Sequence, residues 1–237
     1  MTYSPILAIA TAVFEIGAAG WVLTGPGRRS IVRTTAAILL FLAGYQIVEV
    51  AICSLVPGHG FLPRLAFLVV TWLPPLGILL VTFLLGPGAR AARLFAYAMF
   101  GFALGFVVWI MFDAGFATLS VCNAVYARYE HPTPAFLLYA AFYWLGLFGL
   151  VSLSAYGAAR PRDGHDGLLA RLVFIGSIAF IVPAVLTSWF VPAGEGALPS
   201  VMCHFAILLA ALLVRLTCLE RRGGPQRDRE RPSPAFR

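Results

Sequence analysis

The chain has 237 residues, 60% of them hydrophobic and 11% charged, with a mean hydropathy of +0.88. A water-soluble domain of this size carries about 25% charge, so composition excludes one and indicates an integral membrane protein with no room for a separate soluble domain. The formal charge of +7 rests on 17 basic residues, all arginine, scattered over loops without interleaved exposed aromatics, which excludes a nucleic-acid footprint.

Seven apolar runs, near residues 4–24, 31–56, 65–86, 94–112, 135–157, 168–191 and 199–219, are long enough to span a bilayer. A span needs about 20 residues at 1.5 Å each to cross roughly 30 Å of hydrocarbon. The expected fold class is therefore all-α: a polytopic membrane protein, one seven-helix bundle over residues 1–219, with a disordered basic tail over 220–237. Arginine placement orients it. Arg28, Arg29, Arg33, Arg90, Arg93, Arg160, Arg162, Arg171 and the seven from Arg215 to Arg237 fall on one side, against Arg64 and Arg128 on the other. The positive-inside rule makes the richer side cytoplasmic, with the N-terminus outside, in a bacterial inner (plasma) membrane.

The first run has no basic residue before it and carries Glu15 at its middle, so it reads as a retained span and not a cleaved signal peptide. Ala8, Thr11, Ala12, Glu15, Ala18 and Ala19 form one stripe, small enough for a neighbouring helix to approach closely. Glu15 reads either as a protonated carboxyl bonded to that neighbour or as a proton- or ligand-carrying group. In the second span Gln46, Glu49 and Cys53 share one face, which should turn away from lipid.

Pro74 and Pro75 put a kink at mid-depth in the third span. Gly101 and Gly105 give the fourth a small-residue packing face, and it ends at Asp113. The segment from Asp113 to Pro134 is the longest outside piece, and its 118–129 stretch is expected to form a short surface helix. Tyr139, Tyr143 and Trp144 read as interfacial belt anchors of the fifth span. Pro183 predicts a second kink in the sixth, and Pro199 suits the first turn of the seventh, which brings in Cys203 and His204. Matching Leu-x-Arg-Leu-x-Phe stretches at 62–67 and 169–174 hint at an inverted three-helix repeat.

In a sequentially wound bundle the last helix closes against the first two. The ligand-binding candidates are then Glu15, Gln46, Glu49, Asp113 and His204, in a pocket opening outward. Cys53, Cys122 and Cys203 all lie toward the oxidising side and are disulfide candidates, with Cys122 joined to either Cys53 or Cys203. A metal site drawn from these cysteines with His59, His131 and His204 has no paired ligand spacing behind it, so no metal is assigned, and no cofactor is indicated. The expected partners are the lipid bilayer and a small molecule or ion. The expected function is binding or sensing such a ligand around Glu49, with a small-solute or proton-coupled transporter and a membrane-embedded redox or metal-dependent enzyme as alternatives.

Seven spans with an outside N-terminus resemble the topology of rhodopsins and G-protein-coupled receptors, but no lysine exists to hold retinal, and the receptors' Asp-Arg-Tyr and Asn-Pro-x-x-Tyr signatures are absent. The run Ala43-Gly44-Tyr45-Gln46-Ile47-Val48-Glu49, with Pro199-Ser200-Val201-Met202-Cys203, is similar to a group of uncharacterised bacterial multi-pass proteins. These carry Gln-x-x-Glu in the second span and Ser-x-x-Cys in the last. The resemblance implies that Gln46, Glu49 and Cys203 are shared features, and it supplies no activity.

Overall fold

The computed structural model describes residues 4–55, 60–123, 127–130, 134–160, 164–190 and 198–230. His59 and His131 lie outside the described residues, as does 231–237. The helices are α1 (Ile6–Leu23), α2 (Arg29–Val50), α3 (Phe61–Val70), α4 (Leu73–Leu85), α5 (Arg90–Phe112), α6 (Ala135–Ala159), α7 (Gly164–Phe190) and α8 (Leu198–Glu230). A π-helical turn, Ala51–Leu55, continues α2. Counting α3 with α4 as one broken span, seven helical segments are long and apolar enough to cross a membrane.

The bundle winds sequentially. α8 packs on α7 and closes against α1 and α2, while α2 and α4 hold the middle. α2 touches α1, α3, α4 and α8; α4 touches α2, α5, α6 and α7. Close crossings explain several glycines. A Cβ on Gly146 of α6 would collide with Pro74 Cβ and sit 2.9 Å from Met99 Cε, so only glycine lets α6 pass over the start of α4. Gly101 and Gly105, by contrast, have nothing within 4 Å of a Cβ position, so the packing face expected on α5 meets no partner among the described residues.

The third span breaks one residue pair earlier than its prolines. Thr71 and Trp72 form a turn, and Pro74 and Pro75 occupy the first positions of α4, where an N–H has no intrahelical partner to lose. The carbonyl of Phe67 is satisfied twice, by the Thr71 amide at 3.0 Å and its hydroxyl at 2.6 Å. α7 instead runs helical straight through Pro183.

The expected surface helix after Asp113 is a β-hairpin. β1 (Thr118–Cys122) and β2 (Ala127–Glu130) pair antiparallel, with a bulge between Leu119 and Val121. Alternate burial along β2, with Ala127 and Tyr129 inward, is the pattern a half-buried strand needs. Cross-links beyond the range of local propensity decide the outcome. Cys53 and Cys122 lie at disulfide-bonding distance with Cα atoms 5.8 Å apart, joining the hairpin to the end of α2. Tyr129 and Phe116 stack edge-on against Phe67 at 5.4 and 5.8 Å. Tyr139 joins the same cluster at 5.7 Å from Phe67 and is 3% exposed, so it is core and not a belt anchor.

At the opposite end Arg28 ties three segments together. Its Nε donates to Glu220 Oε1 of α8 and its Nη2 to Asp166 Oδ1 of α7, both at 2.7 Å. Burial alone would lower the Arg28 pKa, yet the hydrogen bonds and charges of Glu220 and Asp166 raise it above its ordinary value. Arg221 donates to the Trp21 carbonyl at 2.6 Å while its guanidinium lies 3.8 Å over the indole ring. These contacts correct the expected tail boundary. Glu220 is buried in the folded bundle, and α8 continues helically to Glu230 instead of fraying after residue 219.

Candidate functional site

The buried acids of the spans, Glu15 and Glu49, together with Thr11, Gln46 and Ser200, lie on α1, α2 and α8, helices that pack on one another. α2 carries Tyr45, Gln46 and Glu49 there, all fully buried. The 100° step per residue aims Gln46 and Glu49 at one neighbour, and that neighbour is α8. Ser200 Oγ donates to Glu49 Oε2 at 2.6 Å, and Gln46 Nε2 donates to the Cys203 carbonyl at 2.7 Å. Two positions three apart on α2 thus face two positions three apart on antiparallel α8, as rungs of one ladder. Gln-x-x-Glu and Ser-x-x-Cys, noted separately in the sequence, meet here.

A roof covers the ladder. The Ala127 amide of β2 donates to Ser200 Oγ at 3.2 Å, so one hydroxyl links hairpin and carboxyl. Beside it the Tyr45 and Tyr129 hydroxyls approach to 3.4 Å. Glu49 therefore has no exposure, and the outward mouth expected for its pocket is closed by the hairpin. No family model, curated protein or solved structure matches the chain. The reading of the site rests on its own geometry.

The remaining expected residues divide. Glu15 is fully buried on α1, and neither of its oxygens has a hydrogen-bond partner among the described residues. Cys203, a free buried thiol, lies within electrostatic reach of both Glu15 and Glu49. His204 is half-buried, and its Nδ1–H donates to the Ser200 carbonyl at 2.7 Å, so its visible role is to fasten the first turns of α8. Asp113 caps a local turn, accepting the Gly115 amide at 2.9 Å, and no bond joins it to the ladder. Cys122 pairs with Cys53, which leaves Cys203 reduced. Among the described residues no three His, Cys, Asp or Glu side chains converge as a metal site.

Sequence reasoning missed Ser200 as the partner of Glu49. Spacing held the signal: Ser200 and Cys203 mirror Glu49 and Gln46 across an antiparallel contact. It also missed the Ala127 amide, since a backbone donor leaves no trace in residue type. A separate apolar cleft at the bundle centre, lined by Ile38, Leu42, Pro74, Gly77 and Leu147, reaches Tyr143, which in turn lies within electrostatic reach of Cys203.

Proposed function

We propose that this chain is a multi-pass protein of a bacterial cytoplasmic membrane that binds a small polar ligand or ion in the α1–α2–α8 seam, beneath a hairpin that covers the site. The observation carrying the reading is the fully buried Glu49 carboxyl, held by Ser200, which is itself held by the hairpin. An acid at this depth costs several kcal/mol unless it is neutralised or coordinated, and such residues are retained at ligand and ion sites. The arginine distribution supports an orientation with the hairpin and N-terminus outside and the Arg28 end cytoplasmic. A ligand from outside then reaches Glu49 by displacing the hairpin.

One observation favours transport as a second reading. The third span is discontinuous at Thr71–Trp72, and helices broken at mid-depth are the usual way a transporter frees backbone groups for a substrate. Thermal melts of the purified protein against a panel of inorganic ions, amino acids and small organic acids test binding. At least one should raise the melting temperature in the wild type and fail to do so in Glu49→Gln. A panel hit that stabilises both proteins equally removes Glu49 from the site.

A further inference from the structure

We propose that the Cys53–Cys122 bridge is a redox latch on the Glu49 seam: a dithiol that reduces it lets the hairpin lift, and reoxidation shuts the seam again. This rests on the reading that the seam takes a ligand, and it adds to that reading the regulation of entry.

The bridge stands where a latch has to. Cys53 is four residues past Glu49, about 6 Å further along the helix at 1.5 Å per residue. Cys122, the last residue of β1, is the cross-strand partner of Ala127, the first residue of β2. The Ala127 amide donates to Ser200 Oγ at 3.2 Å, and Ser200 Oγ donates to Glu49 Oε2 at 2.6 Å. A path therefore leaves α2 at Cys53, crosses through sulfur to the hairpin, passes over one strand pair to Ser200, and returns to α2 at Glu49. The carboxyl is held in a closed circuit, and the bridge is its covalent link between helix and hairpin.

The other ties of the hairpin are of the kind that local opening breaks and remakes. Besides the Ala127–Ser200 bond they are the Tyr45–Tyr129 hydroxyl contact at 3.4 Å and the edge-on packing of Tyr129 on Phe67 at 5.4 Å. With the bridge intact, a lifting hairpin stays pinned at Cys122, a cross-strand step of about 5 Å from Ala127. With it cut, β1 and β2 are free to leave together. Cys53 also sits in the π-helical turn Ala51–Leu55, a backbone form rare beside the α-helix and frequent at functional sites. Both cysteines are half-buried, so an attacking thiolate can approach the bridge while Glu49 beneath it is sealed from water.

The exchange is balanced by the dithiol alone. One thiolate of the reductant attacks a bridge sulfur, forming a mixed disulfide and releasing the other cysteine as a thiolate. The second thiol of the reductant then displaces the first. Its electron pair and both hydrogens end on Cys53 and Cys122, and the reductant departs as a disulfide. Cys203 and Cys218, already free thiols, are unchanged.

The test reads access to Glu49 directly and needs no ligand. The detergent-purified full chain is treated with a water-soluble carbodiimide and glycine ethyl ester, and modified carboxyls are located by peptide mass. One sample is oxidised; the other is reduced with dithiothreitol, which is then removed without air. In the oxidised protein Glu49 should stay unmodified while the exposed Glu130 reacts. Reduction should speed Glu49 modification about tenfold or more, well within what a bridge closing so long a loop contributes. Glu15 should remain protected, and reoxidation with oxidised glutathione should restore the slow rate. The double variant Cys53→Ser, Cys122→Ser should match the reduced wild type; where it does not fold, the wild-type redox cycle decides. Equal Glu49 rates in the two states overturn the latch. So does reactivity that spreads to Glu15 or that reoxidation fails to reverse, since the bridge is then a structural staple. The ligand reading fails separately, in the melting panel: a redox-gated Glu49 that no panel compound needs keeps the latch and removes that reading alone.

Discussion

Replacing Ser200 with alanine removes one oxygen and unmakes two buried hydrogen bonds. The hydroxyl donates to Glu49 at 2.6 Å and accepts the Ala127 amide at 3.2 Å. A hydrogen bond to an acidic group contributes about 1.5–3 kcal/mol, and a buried backbone N–H left unpaired costs about 1–3 kcal/mol. The void left by a single oxygen adds little, so Ser200→Ala should destabilise the protein by about 3 kcal/mol, while Ser200→Thr, which keeps the hydroxyl, should cost under about 1.5 kcal/mol. Reversible unfolding by sodium dodecyl sulfate in mixed micelles, followed by tryptophan fluorescence, measures both. Combined with Glu49→Gln in a double-mutant cycle, Ser200→Ala should show a coupling energy of about 1–2 kcal/mol. A loss below about 0.5 kcal/mol with no coupling would refute the ladder as the site's mechanical link.

Two further outcomes test the ends of the bundle. The Cys53–Cys122 bridge closes a loop across a sequence separation of 69, and the chain-entropy model assigns it about 4 kcal/mol. Nonreducing peptide mapping should recover that pair with Cys203 and Cys218 free, and Cys122→Ser should unfold at clearly lower detergent; recovery of a Cys122–Cys203 peptide contradicts the assignment. Arg28→Ala should cost about 2–3 kcal/mol in the same unfolding assay, discounted from the value for a fully buried pair because the Arg28 side chain is 29% exposed. Arg28→Lys should recover only part of this, since a lysine cannot span both carboxylates in a fork.

The spans were legible because membrane burial imposes a length and a polarity that composition cannot disguise. All seven runs coincide with helical segments of the structure. The hairpin was not legible. Thr118–Cys122 and Ala127–Glu130 are short, and what settles them as strands is tertiary: a bridge to Cys53 and aromatic contacts with Phe67, both distant in sequence. Gln46 and Glu49 stood out because an amide and an acid in a hydrophobic run break the pattern. Ser200 did not, because a serine near a helix start is ordinary and its importance comes from α2. The tail boundary failed for a similar reason. The charged residue Glu220 looks like the beginning of a solvated segment until Arg28, 192 positions earlier, is seen to meet it.

The two rims of the bundle are fastened by unlike materials, and each yields to a different agent. At one, rings and a sulfur bridge bind the cap, so reductant loosens it and electrolyte leaves it alone. At the other, a guanidinium fork between two acids is partly wet, so raised ionic strength relaxes it while reductant has no target there. Salt and thiol are therefore independent handles, each able to free one face of the membrane protein while the other stays shut.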